Sequence, residues 1–256
     1  MIPRPKPTRE TIRLESQDMI ESMEAFIAGK FKFIEEHPDF DVRAPLAAPY
    51  LFWYHDRSPE TISGLNDLHQ KHMRRLTGWI DDNYGEMYHR VEKQLDKGVV
   101  SYESIEFLMK PGDAIILNNK PGQEGGTLKA EIAASWPASK TPQKLADFGV
   151  DSPWVKMNKD HKKKCTWKWI VDCWAYKYDG SFYRTERQVE IQLRAEKADE
   201  EVAIQKLNVY PLRYASEETR ALLEQRGRTF WSCRDRRLVS YEDKNGIYGV
   251  CFPAYV

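Results

Sequence analysis

The sequence has few of the features that usually betray a chemistry. Its four cysteines, Cys165, Cys173, Cys233 and Cys251, include no C-x-x-C pair. That removes the zinc-ribbon spacing, and four cysteines in 256 residues do not make a disulfide scaffold. An intracellular, reducing compartment, cytoplasmic or nuclear, is expected. No apolar run approaches the ~20 residues needed to cross a bilayer, so no membrane partner is expected. The start, MIPRPKPTRE, is basic without an apolar stretch behind it, and a secretory signal is not expected. Glu10, Glu15 and Asp18 weigh against a mitochondrial presequence but leave a mitochondrial address open. Net charge is nil, with Lys plus Arg 39 against Asp plus Glu 39. Global electrostatics therefore make no case for nucleic acid or anionic lipid, and any such case has to be local.

Catalytic signatures are missing too. A phosphate-cradling loop needs G-x-x-x-x-G-K-[ST], which supplies backbone amides, a lysine for the phosphates and a hydroxyl for magnesium. The one Gly-Lys dipeptide, Gly29-Lys30, is followed by Phe31 and preceded by Glu24 where the first glycine belongs. Gly125-Gly126 lacks the lysine arrangement. There is no G-x-S-x-G elbow and no H-E-x-x-H. His69 and His72 are three apart on a helical stretch, and His161 and Cys165 are four apart, but neither pair brings further ligands. No metal site, no cofactor and no catalytic residue is expected, and the chain does not read as an enzyme.

What is present is aromatic and strongly patterned: 8 Trp and 13 Tyr favour packed sheets and an interaction surface. Residues 1–15, with three early prolines, read as a disordered arm, and 16–256 as a single domain. From Ser16 the apolar residues Met19, Ile20, Met23, Phe26, Ile27 and Ile34 recur at helical spacing up to Pro38. Tyr50 to Tyr54 is a continuous aromatic run and reads as a buried strand. A helix capped at Ser58 follows, with Leu65, Leu68, His72, Leu76, Trp79 and Ile80 on one face. Gly78, Gly85 and the Asp-Asp-Asn run are expected to break it, and Gly98 stands where a helix C-terminal glycine belongs. Next come a short helix after Ser101, a turn at Pro111-Gly112 and a strand at Ile115–Leu117.

Residues 118–164 read as an irregular insertion broken by one strand, Leu128–Trp136. Then CTWKWIVDCWAYKYDGSFYRTERQVEIQL alternates apolar and polar residues on both sides of Asp179-Gly180. That is a hairpin signal, because both turn positions favour positive φ. A strand at Ala203–Tyr210, a helix from Ser216 to Cys233 and a second hairpin at Asn245-Gly246 complete the chain. Residues 16–110 are thus helix-rich and 111–256 strand-rich. The expected class is α+β, with helices packed on a twisted antiparallel sheet that is open or curled into a partly closed β-barrel.

The ordered motifs APYLFWYHD, YESIEFLMKPGDAII, WAYKYDGSFY, LNVYPLRY, LLEQRGRTFW and YEDKNGIYGV span roughly Ala44 to Val250. In this order they resemble a domain of unknown function found N-terminal to the ATPase module of fungal AAA-family proteins. The resemblance implies a non-catalytic accessory domain that binds a protein partner or substrate, or regulates an ATPase. The chain departs from that pattern by ending at Val256 without the ATPase, so the ATPase activity does not carry over.

Two basic clusters are the candidate binding residues. Lys162, Lys163 and Lys164 stand beside Trp167, the pairing of cation and stacking platform used by single-stranded nucleic-acid grooves. Trp167 also shares a strand face with Trp169, Val171 and Cys173, which reads as core. Arg226, Arg228, Arg234, Arg236 and Arg237 suit a helix C-terminus or an acidic partner. Protein binding is the first expectation, nucleic-acid binding through Lys162–Trp169 the second, and an unrecognised enzyme the third.

Overall fold

A computed structural model describes residues 10–57, 59–118, 128–140, 165–232, 239–242 and 248–251. In chain order the elements are β1 (Thr11–Ile12), α1 (Gln17–Ala28), α2 (Phe33–Glu36), β2 (Leu46–Ala47), α3 (Leu51–Asp56) and α4 (Pro59–Ser63). They continue with α5 (Asp67–Asp96), β3 (Val99–Val100), β4 (Ala114–Asn118), β5 (Leu128–Ala133), β6 (Ala138–Ser139) and β7 (Cys165–Tyr178). The last are β8 (Phe182–Ala195), β9 (Val202–Ala203), β10 (Val209–Pro211), α6 (Glu217–Ser232), β11 (Val239–Glu242) and β12 (Tyr248–Cys251). The fold is α+β, as expected, and its main sheet is antiparallel and curls into a half-barrel.

That sheet is built on the β7–β8 hairpin, whose strands pair from Cys165↔Ala195 to Tyr178↔Phe182. Alternation decides what each face does. Trp167, Trp169, Val171 and Cys173 are buried, and the first three face the buried Leu193, Ile191 and Val189 across the ladder, while Cys173 is opposite Arg187. On the other side of β7 lie β5 and then β6, as one interrupted strand, followed outward by β4 and β10. The side chain of Asn208 brings β10 back towards β8. Its Oδ1 accepts from the Gln192 backbone N–H (2.8 Å), and its Nδ2 donates to the Glu190 carbonyl (2.7 Å). An amide side chain thus replaces two backbone ladder bonds and draws the sheet round.

In the helical half α1 packs on α5, and the sheet side is met through α2 and α3, where the Trp136 indole donates to the Glu36 carbonyl and Tyr54 packs on Phe107. Met23, Phe26, Met73, Ile80 and Tyr88 are essentially inaccessible. Each large apolar side chain buried this way contributes about 1.5–3 kcal/mol of transfer free energy. Asn66 caps α5, accepting the His69 N–H at 2.8 Å. Gly98, at φ 71, ends it in the left-handed conformation that glycine favours, and its carbonyl accepts from the Ile204 N–H (2.9 Å).

Several local expectations are corrected. Tyr50–Tyr54 is not a strand, since Leu51–Asp56 forms α3 after a left-handed Tyr50 (φ 53). A short aromatic run carries no periodicity that separates the two states. The helix expected from Ser58 to Ile80 is two helices, α4 and α5, parted at Gly64–Asn66, and Ser58 lies outside the described residues. Gly78, Gly85 and Asp81–Asn83 do not break α5, which runs for 30 residues. Asp81 accepts the indole N–H of Trp53 on α3 (2.7 Å), and Asn83 donates to the Trp79 carbonyl within α5 (2.7 Å), so both polar residues have partners without the helix breaking.

The first helix stops at Ala28, and in α2 Phe33 is the buried residue while Ile34 is exposed. The stretch after Ser101 is a 3-10 turn, Ile105–Phe107. The Ala203–Tyr210 strand is interrupted by a 3-10 turn at Ile204–Lys206. At the β7–β8 turn only Gly180 has positive φ, because the loop has three residues rather than two. Part of the expected arm is structured: Thr11–Ile12 pairs with Leu46–Ala47, and Leu14 is buried. Residues 1–9, most of the expected insertion and the Asn245-Gly246 turn lie outside the described residues, though β11 and β12 flank that turn as an antiparallel pair.

Candidate functional site

Where the helical half meets the sheet, an open cleft of about 1160 Å3 runs between them. One wall comes from the chain after α2, from β2 and from α3 and α5. The other comes from the turn at Tyr102–Phe107, from Ser135–Ser139 and from β7 and β8. Six carboxylates line it: Glu10, Asp39, Asp41, Glu103, Glu106 and Asp172. Among the described residues no lysine or arginine does. Between the carboxylates stand Phe40, Phe52, Tyr84, Tyr102, Phe107 and Trp136. The cleft is therefore at once anionic and aromatic.

Local bonding fixes these groups. Tyr84 donates its hydroxyl to Glu10 (2.6 Å), which ties the strap leading into β1 onto α5. Burial first, then this bond, raises the Tyr84 pKa, so the phenol stays protonated. Asp41 accepts the Arg43 backbone N–H (2.9 Å). Asp172 accepts from the Gln188 amide (3.0 Å) across the β7–β8 ladder. Glu103 faces Arg90 at 3.3 Å in an exposed pair that water screens.

Behind the cleft wall lies a second, drier cluster. The indole N–H of Trp136 donates to the Glu36 carbonyl (2.9 Å), and its ring is stacked on His37, with centroids 5.2 Å apart. His55 packs on the same indole at 4.7 Å. Burial, followed by the nearby Lys110 and His37, pushes His55 down to about 3, so this imidazole is neutral at physiological pH. Lys30 pairs with Asp56 Oδ1 (2.6 Å) and Lys110 with Glu36 Oε1 (2.6 Å). Burial alone would raise Asp56, but His37 and Lys30 outweigh it and hold the carboxyl below its ordinary range. Glu36, His37 and Asp56 present ligand atoms that all lie within 4.8 Å of one another.

The residues singled out from the sequence lie elsewhere. Lys162, Lys163, Lys164, Arg234, Arg236 and Arg237 are outside the described residues. Trp167 is buried against Tyr102, with centroids 5.7 Å apart, so its ring presents no open platform. Arg226 and Arg228 are exposed on α6, donating to the Leu128 carbonyl (3.0 Å) and to Glu224 (3.5 Å) respectively. His69 and His72 do not converge: His69 sits at the Asn66 cap, and His72 lies 3.4 Å from Ser22 on α1. Missed altogether were the cleft carboxylates and His37. Their approach depends on contacts between segments as far apart in the chain as Glu10 and Asp172, and the local hint is the polar, proline-containing stretch around Pro38.

An α+β domain with an acidic, aromatic cleft at the junction of its two halves is the class that these features define. Residues 90–216 match the family described as "Domain of unknown function (DUF7025)". The matched stretch runs from the last turns of α5 to the cap of α6 and takes in the whole main sheet. No curated protein and no solved structure matches the chain. No helix among the described residues is long and apolar enough to cross a membrane.

Proposed function

We propose that this domain is a non-catalytic binding module whose cleft holds an extended, lysine- or arginine-bearing segment of a protein partner. The observation that carries this reading is the lining: six carboxylates interleaved with aromatic rings, with no cation among the described lining residues. Carboxylates attract ammonium and guanidinium groups, and the rings accept both their cation faces and their apolar stems. The volume exceeds the range of about 300–1,000 Å3 usual for small-molecule pockets, which suits a stretch of chain better than a metabolite. The motif resemblance to the region preceding fungal AAA ATPase modules supports placing that partner among the substrates or regulators of such an ATPase.

The same carboxylates repel phosphate. Trp167 and Trp169, the described aromatics of the basic stretch, are buried. Single-stranded nucleic acid therefore gains no support. The test is fluorescence anisotropy with labelled peptides that mix Lys or Arg with apolar residues, against acid-substituted controls. Basic peptides are expected to bind, more weakly as salt rises. The double charge reversal Asp39→Lys/Glu103→Lys, which changes one exposed residue on each wall, is expected to weaken binding by about tenfold or more. Absence of binding, or binding indifferent to the reversal, defeats the reading.

A further inference from the structure

We infer that Glu36, His37 and Asp56 form a binding site for a divalent metal ion of the zinc class, set in the inner wall of the cleft. Two buried polar atoms, His37 Nε2 and Asp56 Oδ2, make no hydrogen bond and meet as a long ion pair. The His37 side chain is only 6% exposed, and its Nε2 has no hydrogen-bond partner. Asp56 Oδ2 is also buried and without a hydrogen bond. A buried polar atom left without a hydrogen bond keeps its desolvation cost uncompensated. The two face one another at 3.7 Å. That is too long for a hydrogen bond, but it is close to the separation of about 3.4 Å between two ligand atoms on one tetrahedral zinc with bonds near 2.1 Å. A carboxylate oxygen of Glu36 completes a set of three within 4.8 Å. One imidazole nitrogen and two carboxylate oxygens suit zinc and its first-row neighbours, and leave a fourth position open.

The neighbouring lysines do not occupy the atoms that matter most. Lys30 holds Asp56 Oδ1 and the Asp56 carbonyl, which orients the carboxylate and leaves Oδ2 pointing at His37. Lys110 holds Glu36 through Oε1. Carboxylates braced in this way by outer groups are the usual support of a metal site. The His37 ring is set between Phe33, at 4.6 Å, and Trp136, at 5.2 Å, so its orientation is fixed before any ion arrives. His37 also lines the cleft, which supplies an entry path. His69 and His72, the pair visible in the sequence, have none of this arrangement.

The inference is independent of the peptide reading. Zinc titrated into the full chain by calorimetry is expected to bind one to one. The variants Asp56→Asn and His37→Gln, with folding checked by circular dichroism, are expected to weaken it at least tenfold. Because zinc also seeks thiolates, cobalt is titrated in parallel. Its visible bands are expected to appear without a near-ultraviolet sulfur charge-transfer band. If either variant fails to fold, Glu36→Gln, at a half-buried position, is read in its place. The inference is overturned by a sulfur charge-transfer band, by no binding at millimolar metal, or by affinity unchanged in the folded variants.

Discussion

Asn208 and Gln192 are joined by a hydrogen bond that closes a gap in the sheet: the side-chain oxygen of the first accepts the backbone N–H of the second at 2.8 Å. The same amide donates to the Glu190 carbonyl, while the Asn208 carbonyl accepts the Asn118 N–H (2.8 Å). One residue therefore binds the end of β4 and the middle of β8. Asn208→Ala is expected to destabilise the fold by about 1–3 kcal/mol, since it strands a backbone donor and an acceptor at the seam. Urea unfolding measures the loss. Hydrogen exchange should show the Gln192 amide losing protection ahead of the β7–β8 ladder, and unchanged protection there would refute the seam.

Gly78 and Gly85 lie inside a 30-residue helix, and a Cβ at either position would meet nothing within 4 Å. Neither glycine is needed for close packing or for positive φ. Gly78→Ala and Gly85→Ala are each expected to stabilise by about 0.5–1 kcal/mol, through helix propensity and a less flexible unfolded chain. A rise in the midpoint of thermal unfolding checks this, and a fall in both would show that α5 needs its glycines.

Cys173 is buried, and its thiol donates to Glu131 at 2.9 Å. Burial first, then this bond and the Glu131 charge, pushes the thiol up to about 12. At pH 8 Cys173 is expected to resist alkylation until the protein is unfolded, whereas the exposed Cys165 reacts in the native state. Mass mapping of the modified peptides decides it. The raised value also means that this thiol's contribution is complete below its unfolded pKa of about 8.5 and fades as pH climbs towards 12.

Glu131 responds to pH in the opposite sense. Burial would raise its pKa, but hydrogen bonds from Arg187 and Cys173 outweigh that and lower it. Its stabilising contribution is therefore present above the unfolded carboxyl value of about 4.3 and disappears as pH falls through the lowered native value. Glu131→Gln is expected to cost stability at pH 7 and to cost less at pH 3. Equal losses at both pH values would show that the charge does not matter.

The hairpin was legible because its signal is local and repeated. Trp167, Trp169, Val171 and Cys173 alternate with polar residues, and burial follows that period. The cap at Ser216 was readable for the same reason: its hydroxyl accepts the Thr219 N–H (3.2 Å). Tyr50–Tyr54 was not, because five aromatic or apolar residues fit either period until neighbours choose between them. The continuity of α5 was hidden because the Trp53 partner of Asp81 lies 28 residues away. The cleft was least visible of all. Glu10, Asp39, Glu103 and Asp172 are scattered along the chain, and only the curl of the sheet against the helices gathers them.

The cleft has one bank inside the matched stretch and one outside it. Tyr102, Glu103, Ser135 and Gln188 fall within residues 90–216, while Glu10, Asp39, Phe52 and Tyr84 precede it. A relative that keeps the sheet but carries a different leading segment would inherit half a mould. Under the proposed binding role, such a protein would grip a different cargo on a shared anvil, and grafting residues 10–89 between two relatives is expected to transfer the preference along with them.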